Sequence, residues 1–246
     1  MYRPSCSTKY STMAKNLLKP TAHQTFRIVH DEEARGHAPN FGAELARSRQ
    51  AEMNKEYEEA CNIRFEAVQA LVELLPEDEN VELDWDDAPT QEALVLLYCS
   101  AVDFFLVGDW EMCAAQLEML LDLDSEDHLE ASVLLAYAYV AMGEYDSFDE
   151  IVNDISDKTP DRTLLLLWSE FLRTQSLPEG EMQRLRRNFG PWLREWTATE
   201  HPVNEWYLSQ INSERPSKEA LARELWIQTE HIWAHNTAFI EALRRG

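Results

Sequence analysis

Glycine and proline are scarce in this sequence, which has seven glycines and ten prolines in 246 residues. An all-β fold of this length needs a turn about every 8–12 residues, and most turns use one of these two residue types. We therefore expect an all-α protein. Hydrophobic residues make up 45% of the chain, which is enough to form a folded core.

Cysteine is also rare, and no two cysteines form a C-x-x-C pair. The four cysteines are Cys6, Cys61, Cys99 and Cys113. Cys99 and Cys113 lie in apolar stretches, which is typical of buried, reduced thiols. No basic start leads into a long apolar core and a cleavage site of small residues, so we expect no secretory signal. These features predict a cytoplasmic protein.

Long apolar runs are lacking. The most apolar stretch, residues 93–107, contains Asp103 and is shorter than the ~20 residues that cross a bilayer. The sequence therefore predicts no membrane span.

Lysine and arginine are absent from the 93 residues between Arg64 and Lys158, a window that contains 25 Asp and Glu. The whole chain has a formal net charge of −23, so this window accounts for the entire imbalance. Such a surface repels nucleic-acid phosphates and attracts basic partners, so we expect no nucleic acid. The other interpretation is that the charge only keeps the protein soluble.

Aspartate and glutamate are absent from residues 1–30, which contain five basic residues and seven Ser or Thr. Three interpretations are open: a flexible basic tail, a translation start at Met13 instead of Met1, or an organelle transit peptide. We treat residues 1–40 as a basic, flexible N-terminal segment.

Sequence motifs of catalysis are lacking as well. The chain contains no G-x-x-x-x-G-K-[ST], G-x-G-x-x-G or G-x-S-x-G. A zinc-protease motif fails because Ile232, and not a glutamate, follows His231. Glu230, His231 and His235 could hold a metal only weakly. We therefore predict no enzyme, no cofactor and no metal site.

Apolar residues at three- and four-residue steps predict one long helix over residues 43–75. An acidic connector completes this segment, residues 41–90. The next helix, 91–107, begins at Thr90 as N-cap and ends at Gly108, which tolerates the left-handed conformation that closes helices. Later helices follow the same pattern, with Gly143 as the second such turn.

Residues 94–160 contain two units with the same order of side chains: a small residue, an aromatic, a glycine and a second aromatic. In the first unit these residues are Ala101, Phe104, Gly108 and Trp110. In the second unit they are Ala136, Tyr139, Gly143 and Tyr145, followed by Pro160. This order resembles the tetratricopeptide repeat family, although Ser125 replaces the terminal proline of the first unit.

The resemblance implies antiparallel helix pairs that form a right-handed superhelical solenoid, which we expect to have eight or nine helices. Residues 91–160 would form two such pairs, and residues 161–246 would form further helical pairs and a C-terminal capping helix. Six of the eight tryptophans lie in this last segment: Trp168, Trp192, Trp196, Trp206, Trp226 and Trp233.

In the resembled family, the first helix of each pair lines a concave binding groove. Carried over, the resemblance places eight residues in that groove: Val95, Tyr98, Val102, Phe105, Glu130, Val133, Tyr137 and Val140. Because the two repeats contain no Lys or Arg before Lys158, near the end of the second unit, we expect them not to clamp a partner's C-terminal carboxylate, as some family members do. The groove would hold either the chain's own helix 43–75 or an apolar or basic amphipathic segment of another protein.

The sequence thus predicts a non-enzymatic scaffold or adaptor that binds a protein or peptide and favours basic partners. The alternative is a self-assembling structural protein, a homodimer formed through the Trp-rich C-terminal helices. An enzyme or a metal-binding protein is the third hypothesis.

Overall fold

The computed structural model describes residues 17–22, 24–29, 39–76 and 80–246. Within them the chain forms two short strands, β1 Leu18–Pro20 and β2 Phe26–Ile28, and twelve helices. The helices are α1 Phe41–Met53, α2 Tyr57–Leu74, α3 Ala88–Val107, α4 Trp110–Leu123, α5 Ala131–Met142, α6 Tyr145–Ile151, α7 Pro160–Thr174, α8 Glu179–Asn188, α9 Gly190–Thr197, α10 Glu205–Ile211, α11 Lys218–His235 and α12 Thr237–Arg245. The predicted all-α class is confirmed, but the described residues hold more helices than the eight or nine expected.

The chain divides into two compact units. The N-terminal unit contains the residues up to Phe105 together with Glu111–Ala131, and the C-terminal unit contains Leu106–Trp110 and Ser132–Gly246. The predicted boundaries at residues 90 and 160 followed the end of the acidic connector and the end of the second repeat-like unit. They do not coincide with this division, because the units are defined by contacts.

The expected flexible segment, residues 1–40, is partly wrong. Residues 18–28 form an antiparallel pair of strands in which Leu18 lies opposite Ile28. Ile28 and Val29 are buried, and the backbone N–H of Ile28 donates to Thr90 Oγ1 at 2.9 Å. Burial of these apolar side chains orders this part of the segment. The interpretations of a start at Met13 and of a transit peptide rest on residues 1–30, of which residues 1–16, 23 and 30 lie outside the described residues, and they stay predictions.

The predicted long helix over residues 43–75 is wrong, because the chain forms two helices there. Asn54, Lys55 and Glu56 separate α1 from α2, and Lys55 takes the left-handed conformation with φ +65°. No glycine or proline marks this turn. α1 and α2 pack against each other, and the burial that results outweighs the cost of about 1–2 kcal/mol for a left-handed lysine.

The glycine turns follow the sequence prediction. Gly108 and Gly143 have φ values of +76° and +78°, and each lies between two helices. The N-cap is different from the expected Thr90, because α3 begins at Ala88. The Asp87 carboxylate accepts from the Thr90 N–H at 3.2 Å and from its hydroxyl at 2.6 Å.

The extension of α3 to Ala88 also corrects the argument from length. α3 has 20 residues and a most apolar window of mean hydropathy 1.5, so it is long and apolar enough to cross a membrane. Of that window, 44% is buried inside the protein. The core helix of a soluble protein passes the same test, and the contacts of Arg64 and Ile28 with α3 show how part of its surface is covered.

Aromatic rings fill the core of the C-terminal unit. The Trp233 ring meets the Trp168 and Trp196 rings edge to face, with centroids 5.2 and 5.7 Å apart. Trp226 and Tyr137 extend the cluster on either side. Such edge-to-face pairs add about 0.5–1.5 kcal/mol each beyond the burial of their area.

The predicted final helix begins as expected, since the Ser217 side chain caps α11 by accepting from the Ala220 N–H. It does not continue to the C-terminus. Asn236 interrupts it, because its side chain donates to the Ile232 carbonyl at 2.8 Å and accepts from Trp168 Nε1 at 3.2 Å. A tertiary contact therefore separates α11 from α12.

Candidate binding surfaces

Acidic side chains cover the outer faces of two helices in the N-terminal unit. On α4, Glu111, Glu118 and Asp122 are exposed at spacings of seven and four residues, which places them on one face. On α2, the exposed carboxylates are Glu58, Glu59, Glu66 and Glu73. The chain carries no Lys or Arg between Arg64 and Lys158, so neither helix provides a cation of its own beyond Arg64.

Arg64 itself points inward and joins three helices. Its guanidinium lies 2.5 Å from Glu52 of α1 and 2.8 Å from Asp103 of α3, and the Arg64 side chain is 6% exposed. Burial lowers the pKa of Arg64, but the bond to Glu52 and the charge of Asp103 outweigh it and raise that pKa. Arg64 is therefore a structural cation and does not neutralise the outer faces.

The same cluster holds two thiols and a partly buried carboxyl. Burial raises the pKa of Asp103 by more than Arg64 lowers it. Burial and the neighbouring Asp103 raise the pKa of Cys61, and burial raises that of Cys99. Raised pKa values keep these thiols protonated and unreactive at neutral pH, which is typical of structural cysteines.

A second polar cluster joins two loops of the N-terminal unit. The buried Asp124 carboxylate accepts from the His128 backbone N–H at 2.9 Å and lies 2.7 Å from His128 Nδ1. The His128 ring stacks on Trp85, with ring centroids 4.7 Å apart and planes at 3°. Hydrogen bonding to Asp124 raises the pKa of His128. The cluster ties the loop after α4 to the acidic connector, a contact with no local sequence signal.

The predicted groove residues do not share one environment. Phe105, Tyr137 and Val140 are core side chains, with exposures of 3%, 2% and 1%. Val95, Tyr98, Val102 and Val133 are half-buried, whereas Glu130 is exposed with φ +53°. The prediction is therefore wrong for the three core residues, since an apolar residue on a helix that is apolar all round has no outer face to present. For the others it stays a prediction.

The C-terminal unit contains an open cleft of about 530 Å³. Trp226 and Trp233 form part of its wall, together with His201, Glu230 and Arg244. These residues lie on α11, on α12 and in the loop after α9. No sequence motif indicated the cleft, because its residues come from three separate elements.

Several polar side chains in and beside this cleft make structural contacts. His201 Nδ1 lies 2.6 Å from Glu195, and the Arg223 guanidinium also binds Glu195. The His201 ring stacks on Trp226 at 4.0 Å. Arg244 donates to the carbonyls of Thr197 and Ala198. These contacts fix the loop after α9 against α11 and α12.

His231 and His235, the weak metal ligands considered in the sequence, make separate contacts in the structure. His231 stacks on Trp110 with centroids 5.6 Å apart, and His235 Nδ1 lies 2.9 Å from the His231 carbonyl. Over the residues that the structure describes, no group of three or more His, Cys, Asp and Glu side chains could hold a metal ion.

The C-terminal tryptophans are mostly core residues. Trp168, Trp192, Trp196, Trp226 and Trp233 are buried, and Trp206 is 48% exposed. Five of the six side chains expected at a homodimer interface therefore pack inside their own unit.

Comparison with protein-family models, with curated proteins and with solved structures finds no match. The fold and the surfaces therefore define this chain as an all-α protein of two units with acidic helix faces.

Proposed function

We propose that this protein is a non-enzymatic scaffold that binds basic protein segments through the acidic helix faces of its N-terminal unit. The observation that carries the proposal is the combination of a 93-residue window without Lys or Arg and the ordered helices that present its carboxylates outward. A fixed array of like charges costs self-repulsion in the free protein, and a basic partner relieves it.

Two similar glycine turns support the tetratricopeptide-like arrangement of helix pairs that we propose, and with it a scaffold role. Gly108 and Gly143 take nearly the same φ, and each is followed two residues later by an aromatic ring within 4.0 Å of where a Cβ would lie. The two turns thus repeat one local structure 35 residues apart. Repeated helix pairs present extended surfaces, which suit binding to protein segments.

The exposed acids of α4 contribute to the same surface. Glu111 and Asp122 remain in solvent, while Ala114, Leu117 and Leu120 anchor the helix in the core. Because the core contacts hold α4 in place, its carboxylates are preorganised, which reduces the entropy that a partner must overcome on binding.

The test is capture of binding proteins from a lysate of the source cells, with the full chain as bait, at low and at high salt. Basic proteins should be recovered at low salt and lost at high salt, because salt screens attraction between exposed charges. Recovery of the bait alone at both salt concentrations contradicts the proposal. A bait with Glu111→Lys, Glu118→Lys and Asp122→Lys is the matched variant and should recover less.

Self-association is the second candidate, and a different observation favours it. Val203, Trp206 and Leu208 lie in and beside α10 with exposures of 61%, 48% and 47%, and Leu221 on the neighbouring α11 is 40% exposed. Exposed aromatic and aliphatic side chains are typical of association surfaces. Sedimentation analysis of the wild type and of Trp206→Ser tests it: a dimer that Trp206→Ser dissociates supports this candidate, and a wild-type monomer at high concentration excludes it.

The cellular location that we propose is the reducing cytoplasm. Cys61, Cys99 and Cys113 are free thiols, and all three lie in the interior or half-buried. Free cysteines of this kind persist without pairing where thiols are kept reduced.

A further inference from the structure

The outer face of α2 joins an apolar stripe to an acidic stripe. Tyr57, Phe65 and Val72 are exposed by 63%, 37% and 48%, and their spacings of eight and seven residues are close to two helical turns. Glu66 and Glu73 directly follow Phe65 and Val72 and lie about 100° further round the helix axis. Glu59 continues their row at a seven-residue step and lies 4.0 Å from Arg47 of α1. One face of α2 packs into the core, and its exposed surface carries both an apolar stripe and an acidic row.

The apolar stripe is well anchored. The Phe65 ring meets the Phe104 ring of α3 edge to face, with centroids 6.1 Å apart. Below the stripe, Ile63, Ala67 and Leu71 are buried. The stripe therefore has a fixed shape, and its side chains are exposed because α2 has more apolar surface than its own unit covers.

We infer that this face of α2 is the docking site for a basic amphipathic helix of another protein. The inference rests on the proposed function and assigns its binding site. Apolar side chains of the partner would cover Tyr57, Phe65 and Val72, and its lysines or arginines would lie along Glu59, Glu66 and Glu73. An amphipathic helix is recognised through apolar side chains that repeat at helical spacing on one of its faces.

The charge of the acidic row favours a basic helix over a second copy of this chain or an anionic lipid surface. A second copy of this chain would bring its own glutamates against the same row, and like charges in contact cost free energy. An anionic lipid surface is repelled for the same reason. A basic helix meets both stripes with complementary groups.

The length of the face sets the size of the partner. Residues 57–73 of a helix extend over about 25 Å, so a partner segment of about four or five turns covers the face. A single helix of this length buries a small interface. Such an interface, with several charge pairs at its edge, is consistent with a transient complex in the micromolar range.

The experiment measures binding of a fluorescein-labelled peptide to the full chain by anisotropy. The probe has the 18 residues of α2's own length, with leucine at helical spacing on one side and lysine on the other. A control peptide has glutamate in place of each lysine. We expect the lysine peptide to bind and the glutamate peptide not to bind.

Matched variants locate the site. Glu66→Lys with Glu73→Lys should raise the Kd of the lysine peptide about tenfold, because two favourable charge contacts become repulsive. Glu150→Lys with Asp154→Lys changes the net charge equally in the C-terminal unit, at exposed positions outside the acidic faces of α2 and α4, and should change the Kd less than twofold. Val72→Ser should raise the Kd about threefold without altering the charge.

Two results overturn the inference in different ways. If Glu111→Lys with Asp122→Lys on α4 weakens binding as much as the α2 variant does, attraction is general to the two acidic faces, so the site on α2 is wrong while the proposed function stands. If the lysine peptide binds no better than the glutamate peptide, the proposed function fails as well. Hydrogen exchange of the complex provides a check independent of the variants, since slower exchange should be confined to α2 and the adjoining part of α3.

Discussion

The two units of this protein stabilise their interiors in different ways. In the N-terminal unit a buried arginine, Arg64, joins three helices through Glu52 and Asp103. In the C-terminal unit the junction of the helices is a cluster of aromatic rings centred on Trp233. The comparison shows that a buried charge and a buried aromatic ring can each join several helices in a core.

The difference has an energetic consequence. Aromatic rings contribute large apolar areas and tolerate small shifts in geometry. A buried ion pair contributes little net stability, because desolvation offsets the attraction, but removal of one partner leaves an uncompensated charge. The stability of the aromatic core should therefore depend on the volume that its rings fill, and that of the ion cluster on the presence of both charges.

The surfaces of the two units also differ, in how their charged side chains are distributed. The C-terminal unit distributes arginines among its carboxylates, as in the pairs of Arg173 with Asp149 and of Arg184 with Asp157. The N-terminal unit has no arginine or lysine after Arg64. The proposed binding of a basic partner therefore depends on the N-terminal unit, whereas the proposed self-association depends on the apolar side chains of the C-terminal unit.

The largest effect should come from the aromatic core. Trp233→Ala removes a ring that contacts Trp168 and Trp196 and donates from Nε1 to Thr229 at 2.8 Å. We expect a loss of about 4 kcal/mol in the free energy of unfolding, measured by urea denaturation. Trp206→Ala is the control and should change it by less than about 0.5 kcal/mol, since Trp206 is exposed. Equal effects of the two variants would show that the ring cluster is not the centre of the core.

A somewhat smaller effect should come from the ion cluster. Arg64→Met leaves the Asp103 carboxyl partly buried without its cation, and we expect a loss of about 3 kcal/mol in the free energy of unfolding. The double variant Arg64→Met with Asp103→Leu should recover most of that loss, because both charges are then replaced by apolar groups. A double variant that is no more stable than the single one would show that Arg64 acts by packing and not by charge.

The smallest effect should be the pH dependence at His128. Its folded pKa is raised by Asp124, so the stabilisation is fully present below the ordinary histidine pKa of about 6.5 and is lost as the pH rises through the folded value. The free energy of unfolding of the wild type should exceed that of His128→Gln at low pH, and this difference should shrink by less than about 1 kcal/mol as the pH rises. The change is small because the His128 side chain is 32% exposed. Urea denaturation between pH 5 and about 9 measures the difference. A difference that grows with pH would contradict the assigned sign.

Local signals predicted much of the fold. The scarcity of glycine and proline indicated a helical chain, and Gly108, Gly143 and Ser217 marked helix ends where the structure has them. These signals depend on the backbone conformation of one residue or on one capping side chain. Such preferences act within a few residues, so the sequence shows them directly.

Other features lacked a local signal. Lys55 turns the chain in the left-handed conformation, and Asn236 ends α11 because Trp168 binds its side chain. For the candidate surfaces, the sequence indicated the acidic charge but not the stripe of Tyr57, Phe65 and Val72. The apolar periodicity predicted a helix over residues 43–75 but not which of its apolar side chains the core would cover, and tertiary packing left Tyr57 and Phe65 partly in solvent.

The sequence by itself determined the helical class, the acidic window and the position of the glycine turns, because composition, charge and glycine conformation are properties of short segments. Only the tertiary structure decided which carboxylates face Arg64 and which face solvent, and which tryptophans are buried. The physical reason is that each of these outcomes depends on contacts between residues far apart in the chain, such as Arg64 with Asp103 and Trp168 with Asn236.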